Sequence, residues 1–131
     1  MSKKFLKKII AHSAQDLKVI SALCSESKVK LSDIKFLKKN KRFLISLIRF
    51  DREVKKKEKI TSIIKFDFID SSKSRNIDQS NQDLTLELLA IDIFKHNYNY
   101  EITLLFRDNA FITLTSEIID CSLEDLKKIN D

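Results

Sequence analysis

The chain has 131 residues, of which 43% are hydrophobic and 34% charged, and it carries a net charge of +6 with neither glycine nor proline. This length and composition predict one globular domain spanning residues 1–131. The lack of glycine excludes phosphate-binding loops, dinucleotide-binding turns and Gly-x-Ser-x-Gly nucleophile motifs, because each needs glycine where the backbone turns sharply or approaches a ligand.

The first quarter of the chain predicts a strand and then a helix. Residues 5–11 have the apolar content of a short strand. The segment 13–16, Ser-Ala-Gln-Asp, resembles a capping box, which predicts that a helix begins at Ser13. Leu17, Ile20 and Cys24 recur at spacings of three and four, so they form its buried side. The apolar run before Ser13 is too short for a signal peptide or a membrane span, and we expect a cytoplasmic protein without integral membrane association.

From residue 29 the apolar period changes to two, which is typical of strands. A strand over 29–36 is interrupted near Ser32, and a hairpin turn over 38–41 is expected to place Asn40 at a positive φ. The next strand, 43–50, is apolar on both faces, which predicts a central position with both faces covered.

The second half of the chain predicts further strands and a terminal helix. The apolar phase flips near Leu88, which indicates a β-bulge. Tyr98 and Tyr100 have strand spacing and are expected in the core, whereas an exposed pair would form a contact patch. A capping-box-like start at Ser122 and the stripe Leu123, Leu126, Ile129 predict a helix. The remaining segments are a polar connection at 51–59, strands at 60–68, 84–94, 98–107 and 111–115, and a loop at 70–83.

This element order predicts an α+β fold. We expect an antiparallel, six- to seven-stranded curved sheet or partly closed barrel, with one helix after the first strand and one C-terminal helix. The order of elements is similar to that of the pleckstrin-homology type of barrel, although the helix after the first strand is additional.

Six segments of the sequence resemble a bacterial family of unknown function, domain of unknown function 2948, found mainly in alphaproteobacteria. They are IIAHSAQDLKVISA, VKLSDIKFLKKNKRF, RFDRE, SKSRNID, LLAIDI and ITLTSEIIDCSLEDL. The resemblance covers nearly the whole chain and implies one compact domain, with no activity to transfer. The family usually has glycine where this chain has Asn76, so we predict a positive φ at Asn76.

The basic middle of the chain is the first candidate binding surface. Residues 28–59 contain thirteen Lys and Arg against four Asp and Glu, whereas residues 60–131 contain seven against thirteen. Such asymmetry fits a solvated surface, a protein partner, a nucleic acid or an anionic lipid surface. Most of the cations are lysines, which lack the bidentate geometry that arginine offers to phosphate.

The second candidate combines two charged segments. Arg49 needs a carboxylate, and Asp51, two residues along the same strand face, is the predicted partner. The loop containing Arg75 and Asp78 is expected to fold over this pair, either as a structural ion pair or as a ligand site. The full candidate binding surface is Arg49, Asp51, Arg52, Lys55, Lys56, Lys57, Arg75 and Asp78.

Catalysis has little support in the sequence. His12 and His96 are the only imidazoles, and neither lies in a recognisable Ser-His-Asp or Cys-His pattern. Cys24 and Cys121 lack neighbours at metal-ligand spacing, so we expect no metal and no cofactor. Cys24 lies on the apolar side of the predicted helix and is expected to be a buried free thiol. The leading hypothesis is therefore a non-enzymatic protein-interaction module with an unknown protein partner. The alternatives are a nucleic-acid-binding protein using segment 28–59 and an enzyme of unrecognised type, and the oligomeric state stays open.

Overall fold

The computed structural model describes residues 6–51 and 58–129, which form one antiparallel sheet of ten strands with a single α-helix. The strands lie in the order β1-β10-β5-β4-β2-β7-β8-β9-β6, and β3 pairs with β4 beside β2. The elements are β1 Lys8–Ala11, α1 Ala14–Cys24, β2 Ser27–Lys30, β3 Ile34–Leu37, β4 Arg42–Asp51, β5 Glu58–Phe66, β6 Ile69–Arg75, β7 Thr85–His96, β8 Asn99–Phe106, β9 Ala110–Ser116 and β10 Cys121–Ile129.

The helix begins and packs as predicted. The Ser13 hydroxyl accepts a hydrogen bond from the Asp16 backbone N–H at 3.1 Å, which satisfies one of the free donors at the helix start. Leu17, Ile20 and Cys24 are fully buried, and α1 packs against β7, β1 and β4. The helix therefore covers one face of the curved sheet, which we call the inner face.

The central strand β4 separates the two faces of the sheet. Its alternate residues from Phe43 to Asp51 are buried on the inner face, whereas the residues between them are half-buried on the opposite, outer face. Its central position is confirmed. The prediction that both faces are covered is wrong, because among the described residues α1 supplies the only helix and it packs on the inner face.

The predicted C-terminal helix is a strand, and the predicted six or seven strands are ten. In β10, Cys121, Leu123 and Asp125 are buried at a spacing of two, and the strand pairs with β5 and β1. The register shifts between Asp125 and Lys127, and Leu126 beside this irregularity is half exposed. Pairing on both sides overrides a helical pattern that helix propensity alone supports only weakly. The sheet does not close into a barrel.

The predicted loop 70–83 also contains a strand, because β6 runs over Ile69–Arg75 and pairs with β9. The consecutive pairing predicted by an up-and-down order holds for β3–β4–β5 and for β7–β8–β9. It is wrong for β2, which pairs with β4 and β7, and for β6, which pairs with β9, and β10 inserts between β1 and β5. The predicted bulge is confirmed, since the β7–β8 register shifts between Leu88 and Ala90.

Residues with positive φ occupy several turns of this glycine-free chain. Asn76 has φ 60°, as predicted from the family's glycine, and its side-chain amide donates a 2.8 Å hydrogen bond to the Asn109 carbonyl. In the 38–41 turn the positive φ of 52° belongs to Lys41, so the assignment to Asn40 is wrong. Asn tolerates this backbone region more readily than a bulky residue, which explains its use in the absence of glycine.

Candidate functional site

Arg49 forms a buried ion pair with Asp125 on the inner face. The guanidinium Nε donates to Asp125 Oδ1 at 2.9 Å, and its Nη2 donates to Oδ2 at 2.6 Å. Arg49 is 1% exposed and Asp125 5% exposed. The Ser62 hydroxyl and the Lys7 backbone N–H also donate to the Asp125 carboxylate, at 2.6 and 2.9 Å. This network ties β4, β5, β10 and the residue before β1 together.

Asp51 is the predicted partner of Arg49, and the structure adds Asp125, 76 residues away, which accepts two hydrogen bonds from the guanidinium. The hydrogen bond to Asp125 is the main cause that raises the pKa of Arg49, and the nearby charge of Asp51 adds to it. Sequence reasoning missed Asp125 because it assigned that residue to a helix. The signal available was the alternation of Cys121, Leu123 and Asp125.

The Arg75 and Asp78 segment does not fold over Arg49. Arg75 is exposed at the end of β6, where it pairs with Phe111 of β9. The Asp78 carboxylate accepts hydrogen bonds from the Ser80 hydroxyl and backbone N–H at 2.6 and 3.1 Å, and these bonds lower the pKa of Asp78. The remaining candidates, Arg52, Lys55, Lys56 and Lys57, lie outside the described residues.

Acid should weaken the buried network. Burial raises the pKa of Asp125, but the hydrogen bonds from Arg49, Ser62 and Lys7 outweigh it, so the pKa lies below the usual value of 3.8. A carboxyl with a lowered folded-state pKa stabilises the fold above its unfolded-state pKa, and this contribution disappears as the pH falls through the folded-state value.

We therefore expect thermal unfolding midpoints to fall more steeply between pH 5 and pH 2 in the wild type than in Asp125→Asn, which cannot titrate at this position. Scanning calorimetry over this range measures both slopes. Equal slopes would contradict the assignment of acid sensitivity to Asp125.

The second candidate site lies at one end of the sheet, where four of the turns between strands are located. The turns β3–β4, β5–β6, β7–β8 and β9–β10 leave the sheet at the same end, because Tyr100 pairs with Ser116 and Ser116 pairs with Ile69. In addition, the Ile69 backbone N–H donates to the Lys41 carbonyl at 2.8 Å. We call this end the loop end, defined by five exposed apolar residues: Leu37, Phe68, Phe94, Tyr98 and Ile118.

The loop end concentrates exposed apolar surface. Nine large hydrophobic residues are exposed in the described part of the chain, and five of them lie at this end. Tyr98 is 91% exposed and Phe94 65% exposed, so the expectation that Tyr98 lies in the core is wrong. A cavity of about 130 Å³ separates Phe68 from Ile118 and is lined also by Lys41, Asp70 and Glu117.

Charged groups around the loop end pair with one another. Lys41 Nζ lies 3.0 Å from Asp70 Oδ1, and Arg42 Nε donates to Asp67 Oδ1 at 2.7 Å. His12 Nε2 lies 3.6 Å from Asp120 Oδ1. The loop end thus combines exposed apolar residues with paired polar groups, a combination that is common at protein interfaces.

The backbone at the loop end is strained. Phe68 has φ 61° and is half exposed, and a left-handed conformation costs a residue with a Cβ roughly 1–2 kcal/mol. For a bulky aromatic residue this backbone state is a genuine outlier. Strained backbone conformations are often found at functional positions, so Phe68 is a candidate functional residue.

The described residues contain no cluster of three or more His, Cys, Asp or Glu side chains suited to a metal ion. Cys24 and Cys121 are free and buried, and burial raises the pKa of the Cys24 thiol to about 12 despite the opposing charge of Arg49. A thiol with such a pKa is a poor nucleophile at neutral pH. Within the described residues, no helix has the length and apolar character needed to span a membrane.

Comparison with known proteins gives one match. A family model described as "Protein of unknown function (DUF2948)" matches residues 7–130, which is nearly the whole chain. No curated protein and no solved structure matches the chain significantly.

Proposed function

This chain belongs to the DUF2948 family, and we propose that it is a non-enzymatic protein-interaction module that holds a protein partner at the loop end. The observation that supports the proposal is that five exposed apolar residues lie in or beside turns at one end of the sheet, and that two of them, Phe68 and Ile118, line one cavity. Exposed apolar groups gathered from distant parts of a chain mark interaction surfaces more often than single exposed residues do.

The chemistry of the loop end suits a protein partner. Three of its five apolar residues are aromatic, and aromatic side chains dominate the energetic centres of protein interfaces. The cavity between Phe68 and Ile118 could accept one apolar side chain of the partner, while Lys41 and Asp70 at its rim could form polar contacts. We place this interaction in the cytoplasm, where free buried thiols such as Cys24 and Cys121 remain reduced.

Substitutions at the loop end test the proposal. We expect Phe68→Gly and Tyr98→Ala to weaken the complex with the captured partner by about 30-fold each, which is the effect of removing a 2 kcal/mol interface contact. Affinity purification of the tagged full chain supplies the partner, and calorimetric titration of the purified proteins gives the dissociation constants. Leu126→Ala is the matched control, because Leu126 is as exposed as Phe68 but lies on β10.

Phe68→Gly also separates binding from folding. Relief of the left-handed strain should offset the lost contacts of a half-exposed ring, so we expect the free energy of unfolding to stay within about 1 kcal/mol of the wild type. A partner that binds wild type, both loop-end variants and Leu126→Ala equally would overturn the proposal.

A further inference from the structure

A basic surface lies on the outer face of the sheet, away from the helix. Strand register places seven lysines on the outer face of β1, β10, β5, β4, β3 and β2, with Glu124 as the one acidic residue of these strands on that face in the described chain. We call this surface the basic face; its lysines are Lys8, Lys28, Lys30, Lys35, Lys59, Lys65 and Lys127. We propose that the basic face binds single-stranded nucleic acid, independently of the loop end.

Charge is divided between the two parts of the outer face. The strands β6 to β9 place Lys73 and Arg75 there beside three acidic residues, Glu87, Asp92 and Glu101. The basic face therefore carries the excess positive charge of the described sheet. Lys8, Lys30, Lys35 and Lys127 form no ion pair with another described residue, so their charges are available to an external anion.

The lysines are arranged in rows across the strands. One row runs from Lys28 through Ile48 and Thr61 to Lys127, crossing β2, β4, β5 and β10. With neighbouring strands about 4.8 Å apart, its two lysines are separated by roughly 14 Å. A second row runs from Lys35 through Leu44 to Lys65. An extended polyanion can contact several lysines at once on such a surface, which a small anion cannot do.

A cavity opens in the basic face between β2 and β4. The two strands pair at one position, Lys28 with Ile48, because the 3-10 turn Leu31–Asp33 leads the chain away before β3 pairs with β4. The resulting cavity has a volume of about 330 Å³. Its polar lining consists of Lys28, Lys30, Asp33, Ser46, Thr61 and Thr85.

Apart from the Asp33 carboxylate, which repels phosphate, the polar part of this lining is of the kind that contacts a nucleic-acid backbone. Lysine ammonium groups and Ser or Thr hydroxyls bind phosphate oxygens. The apolar Ile48 and Leu47 of the cavity cannot form hydrogen bonds with a phosphate. Half-buried Ile48 and Phe50 could instead contact the faces of bases. The faces of the bases are accessible in a single-stranded nucleic acid and stacked away in a duplex. We therefore expect the basic face to bind single-stranded nucleic acid more tightly than a duplex.

The test measures binding of a fluorescein-labelled oligothymidylate to the full chain by anisotropy over a series of salt concentrations. We expect affinity to fall steeply with salt, and the triple variant Lys30→Gln, Lys35→Gln, Lys127→Gln to lower the salt slope by about 2, since each lost phosphate contact to a single strand contributes about 0.7. The matched control is Lys73→Gln with Lys95→Gln, which removes exposed lysines from β6 and β7.

Comparison ligands separate the possible sources of anionic charge. A duplex of the same length and vesicles containing phosphatidylserine are measured under the same conditions. Tighter binding to either ligand than to the oligothymidylate, an equal loss of affinity in the control variant, or no binding at low salt would overturn the proposal. Retained capture of the loop-end protein partner by the triple variant would confirm that the two surfaces act separately.

Discussion

Asp125→Ala is expected to lower the free energy of unfolding by about 3–5 kcal/mol, because it leaves the Arg49 guanidinium charged and unpaired at 1% exposure. The Ser62 hydroxyl and the Lys7 N–H lose their acceptor in the same variant. Domains of this size have total stabilities of about 5–15 kcal/mol, so the loss would leave a substantial unfolded fraction in some conditions. Urea unfolding of the wild type and Asp125→Ala at pH 7 measures the difference in the free energy of unfolding.

Two companion variants identify the cause of the loss. Arg49→Met with Asp125→Leu removes both charges and keeps apolar volume, so it should recover most of the lost stability. Glu124→Ala, at the neighbouring exposed position of β10, should change stability by less than about 0.5 kcal/mol. A double variant as unstable as Asp125→Ala would mean that packing, rather than an unpaired buried charge, accounts for the effect.

Ile20→Ala is expected to cost about 2–5 kcal/mol, because Ile20 is fully buried between α1 and the inner face of the sheet. Shortening the side chain removes apolar contacts and leaves a cavity that the strands cannot fill without losing their pairing. Thermal or urea unfolding of the two proteins gives the difference directly.

Val19→Ala on the same helix is the matched control. Val19 is 49% exposed, and alanine has the higher helix propensity, so stability should change by no more than about 0.5 kcal/mol in either direction. Equal losses in Ile20→Ala and Val19→Ala would show that the helix is not held by its buried side.

Local rules predicted those elements whose pattern is set by neighbouring residues. The helix from Ser13, the interruption near Ser32 and the bulge near Leu88 each depend on a few consecutive residues, and each is confirmed. The positive φ of Asn76 was predicted from the family resemblance and is also confirmed. The helix prediction for the C-terminal segment was wrong because its helical signals were weak and its two strand partners are distant in the sequence. Pairing with β5 and β1 determines its conformation, and no local signal reports that pairing.

The candidate sites follow the same division. A buried partner for Arg49 could be expected from the strand pattern, whereas its identity as Asp125 depends on β10 lying beside β5. The lysine excess in residues 28–59 was visible in the sequence, and the register of the strands then aligned part of it with Lys65 and Lys127 on one face.

By itself, the sequence determined that this protein is built mainly from antiparallel strands with a helix after the first, and that it lacks glycine-dependent ligand loops. Only the tertiary structure decided that Asp125 bonds to Arg49, that the C-terminal segment is a strand, and that the turns carrying exposed apolar residues lie at one end of the sheet. The physical reason is range: capping, periodicity and φ preferences act over a few residues, whereas ion pairs and strand pairing join residues far apart in the chain.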